Sequence, residues 1–252
     1  MRQPVLFLAH GSPTLALDGG GWGAALRRFG AAAARPAAVL VVSAHWETPG
    51  APRITSSSHP GVLHDFGGFP PELYQLDYPC PGDPLLASRI GRAVCADLDG
   101  SRPLDHGAWV PLRWMFPAAD LPVLQLSLPR PRNAQGLLRL GEALRPFREE
   151  GVLLVGSGGL VHNLRRLDWA GPGVPAPWAL AFEAWVLASL QDLPAAAFAE
   201  ALVGAPHVEE AVPTSEHFDP LLVCLGAAGQ GPQDLHAGWQ LGSLSLRCLH
   251  WP

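Results

Sequence analysis

The 252-residue chain contains no lysine; all 17 of its basic side chains are arginine. That absence removes whole classes of chemistry, because a phosphate-binding Walker lysine, a lysine Schiff base and a lysine general base are each impossible. Cysteine is sparse and scattered. Cys80, Cys95, Cys224 and Cys248 form no CxxC pair, which argues against a thiolate zinc site and against a disulfide framework. Charged residues make up only 15% of the chain, with a net charge of -5, so the basic stripe needed to hold a nucleic-acid backbone is missing. Long apolar runs are missing as well. The opening VLFLA is too short for a signal peptide, and no later stretch reaches the roughly 20 residues of a membrane span. These absences point to a reducing, cytoplasmic setting with neither nucleic acid nor membrane as partner. Neither GxGxxG nor the GxSxG elbow of serine hydrolases occurs. The GSGG of Gly156 to Gly159 has the glycine content of a phosphate loop, but His162 and Asn163 follow it where a lysine and a helix would be needed.

What is present suits a single globular domain over residues 1–252. Apolar residues make up 48% of the chain, and a chain of this length buries about 70–75% of its unfolded surface. Short apolar runs at 5–9, 38–43, 53–57, 123–127, 152–156 and 241–249 predict strands. Helical periodicity predicts helices over 23–34, 84–98, 133–147, 178–190 and 215–228. Strands alternating with helices predict an α/β fold: a mainly parallel, helix-covered central sheet with its site at the C-terminal ends of the strands. Residues 55–82, rich in Gly, Pro and aromatics, predict a long ordered loop rather than a linker.

Histidines mark the strand exits. His10 closes VLFLAH, His45 closes VLVVSAH, and His162 follows VLLVGSGG within a few residues. A lone histidine beside an apolar strand is more often a hydrogen-bonded structural residue than a ligand, but three at one sheet edge suit a metal site or an acid-base cluster. His217, in PTSEHF, begins the last predicted helix. Glu216 beside it fits the helix dipole, whereas a cationic histidine does not, so a neutral ligand imidazole is the better account of His217. His106, in LDHGAW, reads as a turn histidine, either structural or able to bind a phenol oxygen. His64 and Phe66, in HDFGGFP, belong to a tight turn whose aromatics could line a pocket for a planar substrate.

Taken in order over residues 6–228, the blocks LFLAHGSP, VVSAHWET, HDFGGFPPELYQLDYPCPGDP, LDHGAWVPLRWMFPAADLPVLQLSL, GSGGLVHNL and PTSEHFDPLLVCLGAA resemble the class III extradiol ring-cleavage dioxygenases. The similarity is to their DOPA 4,5-dioxygenase-like branch of bacteria and plants. The resemblance implies a non-haem metal in the crevice and cleavage of a small, DOPA-like catechol beside its hydroxyls by O₂. It implies His10, His45 and His217 as metal ligands, His162 as a fourth ligand or an acid-base group, and His106 as a second acid-base or substrate-binding group. Better-studied members of the superfamily hold Fe(II) with two His and one Glu, so Glu216 competes with His217 for the third position. Fe(II) is the cofactor that ring cleavage needs, because Zn(II), which all-imidazole donors also suit, cannot activate O₂. The rival readings are a zinc hydrolase on the same histidines and a metal-binding protein without turnover. No oligomeric state is implied.

Overall fold

The computed structural model describes residues 1–169, 173–229 and 231–252. Its centre is four parallel strands, β1 (Val5–Ala9), β2 (Ala38–Pro49), β5 (Val123–Arg130) and β6 (Val152–Gly158), which neighbour one another in the order β5-β2-β6-β1. Two short strands, β3 (Arg53–Thr55) and β4 (Asp97–Asp99), extend the β5 side. Beyond β1 the order runs to β10 (Cys248–Trp251) and then β7 (Gln233–His236), both antiparallel. A separate two-strand ladder joins β8 (Trp239–Gln240) to β9 (Leu244–Ser245).

Alternation along the central strands builds two cores. Leu6, Leu8, Val39, Val41, Leu153 and Val155 face α1 (Gly20–Ala32) and α3 (His106–Met115). Val5, Phe7, Leu40, Val42 and Leu154 face the other way, against α2 (Pro84–Val94), α4 (Ala134–Leu144), α5 (Pro177–Asp192), α6 (Ala195–Ala201) and α8 (Asp219–Ala228). Strands buried on both faces read as unbroken apolar runs, which is why they are legible in sequence. A four-residue helix, α7 (Val208–Ala211), precedes the His217 turn. Among the described residues no helix is long and apolar enough to cross a membrane.

Register positions the site. Ala9 pairs with Gly158 and Ser43 with Ser157, so the ends of β1 and β6 lie level with the part of β2 that leads into His45. The long loop is ordered, as expected: Leu73, Tyr78 and Cys80 are buried, and the Tyr78 hydroxyl donates to the Phe116 carbonyl at 3.0 Å.

Several elements differ from the sequence reading. The helix expected over 84–98 stops at Val94, because Cys95 turns left-handed at φ 54° and the chain then enters β4. The helix expected to 147 ends at Leu144 and continues as the 3-10 turn Arg145–Arg148. The strand expected over 241–249 is broken, since Leu241 and Gly242 take φ of 50° and 74° and the remainder divides between β9 and β10. His45 lies inside β2 rather than at its end; the β2–β5 register shifts between Val42 and Glu47, and this bulge carries His45. The last helix begins at Asp219, leaving His217 in the turn before it. His106 is the first residue of α3, whose signal is masked by Gly107 and by Pro111 inside the helix.

Candidate metal centre and adjoining cavity

Three imidazole nitrogens converge where β1, β2 and the turn before α8 meet. One ring nitrogen from each of His10, His45 and His217 lies within 4.8 Å of the others. The ring centroids are 4.8 Å apart for His10 and His45, 5.3 Å for His10 and His217, and 4.9 Å for His45 and His217.

The hydrogen bonds behind these rings determine what they present. The Ser157 hydroxyl donates its single proton to the Gly107 carbonyl, so it can only accept from His10 Nδ1, 2.9 Å away. His10 therefore carries its proton on Nδ1 and offers Nε2 as a lone pair. On His217, Nδ1 is held 3.1 Å from Glu216 Oε1, which in turn accepts from Thr214 Oγ1 at 2.8 Å. His217 Nε2 is buried without any hydrogen-bond partner. On His45, Nδ1 faces Asp65 Oδ2 at 3.6 Å while Nε2 stands 2.9 Å from His10 Nε2. A neutral imidazole has one proton, and His45 has two acceptors to satisfy.

This donor set fits a metal ion. A cation held by these three rings would take up the lone pair that His10 Nε2 presents to His45 and give the orphaned His217 Nε2 a partner. Burial, reinforced by the neighbouring histidines, pushes the proton affinities of His10 and His45 well below the ordinary value, so both stay neutral and available as ligands.

Two close approaches explain local glycines. A Cβ on Gly158 would lie 2.0 Å from the His217 carbonyl oxygen, and the neighbouring Gly159 N–H donates to that same oxygen at 2.8 Å. The GSGG stretch is thus the bare backbone on which the His217 turn rests. A Cβ on Gly107 would meet Ser43 Oγ at 2.6 Å and His10 Nδ1 at 3.1 Å, so only glycine lets the start of α3 reach His10.

The comparisons with known proteins agree with this geometry. Residues 4–241 match the family described as the catalytic LigB subunit of aromatic ring-opening dioxygenase. The chain belongs to this family. Relatives named 4,5-DOPA dioxygenase extradiol include one from Escherichia coli K12, 39% identical over 97% of this chain and 93% of its own. Another, from Beta vulgaris, is 38% identical over 96% and 94%. A crystal structure of an uncharacterized Escherichia coli K12 protein superposes with a TM-score of 0.84 at 34% identity, covering 100% of both chains. LigB proteins are metal-dependent ring-opening dioxygenases, and the extradiol dioxygenase reading of the sequence is borne out.

Two further histidines, His106 and His162, stand beside the three. The His106 ring stands 4.1 Å from that of His45 and 5.3 Å from that of His10, and its Nδ1 is held by Asp65 Oδ1 at 2.9 Å. The same oxygen accepts the His106 backbone N–H at 3.0 Å. Burial raises the Asp65 carboxyl, but the hydrogen bonds and charge of His106 outweigh it and hold the group at about 2. His162 stacks face to face on His217, with centroids 3.5 Å apart and planes 6° apart, and it does not join the three converging nitrogens. Burial, with a smaller contribution from the neighbouring His217, lowers His162 to about 3. Glu216 is held at about 2, chiefly by its hydrogen bond from His217.

These rings floor a cavity of about 200 Å³ whose walls include Phe66, Phe69, Leu164, Leu167, Trp169 and Leu241. Phe66 lines it. His64 stands behind, bonded to the Leu76 carbonyl at 3.0 Å and packed on Phe66, Tyr74 and Trp109.

The sequence reading passed over the residues that aim the histidines. In sequence Asp65 reads only as part of a turn and Glu216 as a helix terminus or a ligand, and nothing marks Ser157. Asp105 is fully buried; it caps α3 through the Ala108 N–H at 3.2 Å and accepts from Ser43 Oγ at 2.7 Å and from Gln125. Arg132 bridges Glu47, two residues beyond His45, to Asp219, two residues beyond His217, and so braces two ligand segments together. An acidic residue beside a candidate site histidine is the available signal for Asp65, Asp105 and Glu216; Ser157 and Arg132 reach their partners from distant segments.

Proposed function

We propose that the chain opens the ring of a small catechol with O₂, using Fe(II) held by His10, His45 and His217. The convergence of one ring nitrogen from each of three histidines that line an apolar cavity, with His217 Nε2 buried without a partner, carries this reading. The relatives named for DOPA support a catechol as the substrate class. Three protein donors leave positions open for a chelating catechol, as in non-haem iron oxygenases. In the proposed centre Glu216 is not a ligand: its carboxylate holds His217 Nδ1, on the ring edge away from Nε2.

When bound, the metal supplies Lewis acidity for both catechol oxygens and, as iron, the redox capacity for O₂ to react with the ring. The chain's own groups do the rest. Asp65 keeps the His106 proton on Nδ1, which leaves Nε2 as the base that accepts a proton from a catechol hydroxyl. His162 lines the same cavity, kept neutral by its burial and held in place by its stacking on His217, so it is positioned to hydrogen-bond the substrate. Phe66 and the leucines exclude water and confine the flat ring.

Zinc is the alternative occupant of the same donors, and with it the centre would be silent towards O₂. We place the protein in the cytoplasm, which its four unbridged cysteines favour. Anaerobic loading with Fe(II) or Zn(II), followed by O₂ and catechol, tests the assignment: only the iron form should take up oxygen.

A further inference from the structure

We propose that Asp105 is a positioning residue for the metal centre: its buried carboxylate fixes His45 from both sides and, as the cap of α3, sets His106 against it. This rests on the reading of His45 as a ligand and His106 as a proton acceptor, and it adds the group that places the two together.

The β2–β5 register shifts between Val42 and Glu47, so the bulge leaves the His45 N–H and carbonyl to partners outside that ladder. Each finds a side chain. The N–H donates to Ser43 Oγ at 3.2 Å, and the Ser43 hydroxyl gives its one proton to Asp105 Oδ1 at 2.7 Å. The carbonyl accepts from Arg102 Nη2 at 3.2 Å; that nitrogen lies 3.8 Å from Asp105 Oδ2, and the guanidinium covers the Trp46 ring at 5.3 Å. Both ends of His45 are therefore tied, through one intermediary each, to the same carboxylate.

The same carboxylate begins α3. Its Oδ1 accepts the Ala108 N–H at 3.2 Å, the cap that places His106 at the first helical position, with its ring 4.1 Å from that of His45. Gly107, next in the turn, offers its carbonyl to the Ser157 hydroxyl, which accepts from His10 Nδ1, so a shift of this turn would reach His10 as well. Gln125 meets the second oxygen. Its Oε1 accepts the Asp105 backbone N–H at 3.1 Å, which turns Nε2 towards Asp105 Oδ2 as a donor. Asp105 has no exposed surface, and the groups that these bonds bring to its oxygens are all donors, which suits a carboxylate and not an amide. A helix cap needs one acceptor; the oxygen directed at Gln125 and Arg102 is what capping does not explain.

The test exchanges the two side chains that meet at the second oxygen. In Asp105→Asn the new Nδ2 faces Gln125 Nε2, donor against donor, whereas the capping oxygen remains. The Zn(II) affinity of the full-length protein, read by competition with a chromophoric chelator, should fall by about 10- to 100-fold. Adding Gln125→Glu returns an acceptor to that contact with the net charge of the pair unchanged. The double variant should recover affinity to within about threefold of the unsubstituted protein, a non-additivity that belongs to groups in one network. In the iron-loaded protein Asp105→Asn should lower kcat by roughly 10- to 100-fold while KM for catechol stays within about threefold, because a misplaced His106 affects proton transfer more than binding. An Asp105→Asn protein that melts lower yet keeps full Zn(II) affinity and kcat would reduce Asp105 to a cap and overturn the proposal. So would a double variant that regains its melting temperature without regaining affinity. Should Asp105→Asn fail to fold, Ser43→Ala and Arg102→Gln keep the cap and each cut one tie to His45; each should weaken Zn(II) binding by about tenfold, and unchanged affinity in both would overturn the proposal. Zn(II) affinity requires no turnover: an iron form that takes up no oxygen would remove the ring-cleavage reading and leave the affinities to decide the role of Asp105.

Discussion

Exchanging roles between Glu216 and His217 is the sharpest mutational test of the centre. His217 presents a buried, unpartnered Nε2 to the cluster, whereas Glu216 reaches only the outer nitrogen of the same ring, 3.1 Å away. His217→Ala deletes one of three donors and should abolish stoichiometric metal binding. Glu216→Gln keeps an oxygen that can accept the His217 Nδ1 proton, so the tautomer survives and only the charge is lost; affinity should fall by about tenfold or less. Glu216→Ala removes the acceptor altogether and should cost 10- to 100-fold, or about 1.4–2.7 kcal/mol, the usual effect of losing a group that orients a ligand histidine. Competition between the protein and a chromophoric chelator for Zn(II) measures all three. The reasoning fails if Glu216→Gln empties the site while His217→Ala leaves it filled, which would restore a two-histidine, one-carboxylate centre.

Other outcomes follow from the same geometry. His106→Ala should leave metal content intact and lower turnover by roughly 10²–10⁴-fold, read by elemental analysis and oxygen uptake on one preparation. Gly158→Ala places a Cβ 2.0 Å from the His217 carbonyl oxygen, so it should weaken metal binding as well as lower the melting temperature; unchanged affinity would show that the turn can relax. The metal-free protein should lose stability on acidification. His10, His45 and His162 all bind protons more weakly folded than unfolded, so the stability they confer is complete above about pH 6.5. It falls by about 1.4 kcal/mol per pH unit for each as pH drops towards the folded values, about 3 for His162. Asp65 and Glu216, held at about 2, stabilise only while ionised and add a second loss below about pH 4.5. Melting curves from pH 8 to pH 2 check both windows, and a flat profile would contradict them.

The parts of this molecule that are local in sequence were legible before the fold was known. β1, β2, β5 and β6 are buried on both faces and announce themselves as apolar runs, and His10 and His162 follow directly from their exits. α3 was missed because Gly107 and Pro111 oppose helical propensity; the buried Asp105 cap and the packing of Trp109 and Leu112 override it. The bulge that carries His45 is a property of the β2–β5 register, which involves a second strand some eighty residues away. Asp65, Ser157 and Arg132 act on histidines that are 41, 147 and 87 residues from their partners or bridge segments equally distant, so no local pattern could expose these pairings. Their roles exist only once the sheet has aligned Ala9 with Gly158 and Ser43 with Ser157.

The central claim, that three histidines on this scaffold hold iron for ring cleavage, is tested most directly by oxygen stoichiometry. Protein reconstituted anaerobically with one equivalent of Fe(II) is mixed with ¹⁸O₂ and a small catechol, and the product is analysed by mass spectrometry alongside the Zn(II) form. The account predicts one O₂ consumed per catechol, a yellow ring-opened product carrying both labelled atoms, and no uptake by the zinc form or by His10→Ala. Iron-loaded protein that consumes no oxygen with this or any other catechol would contradict it.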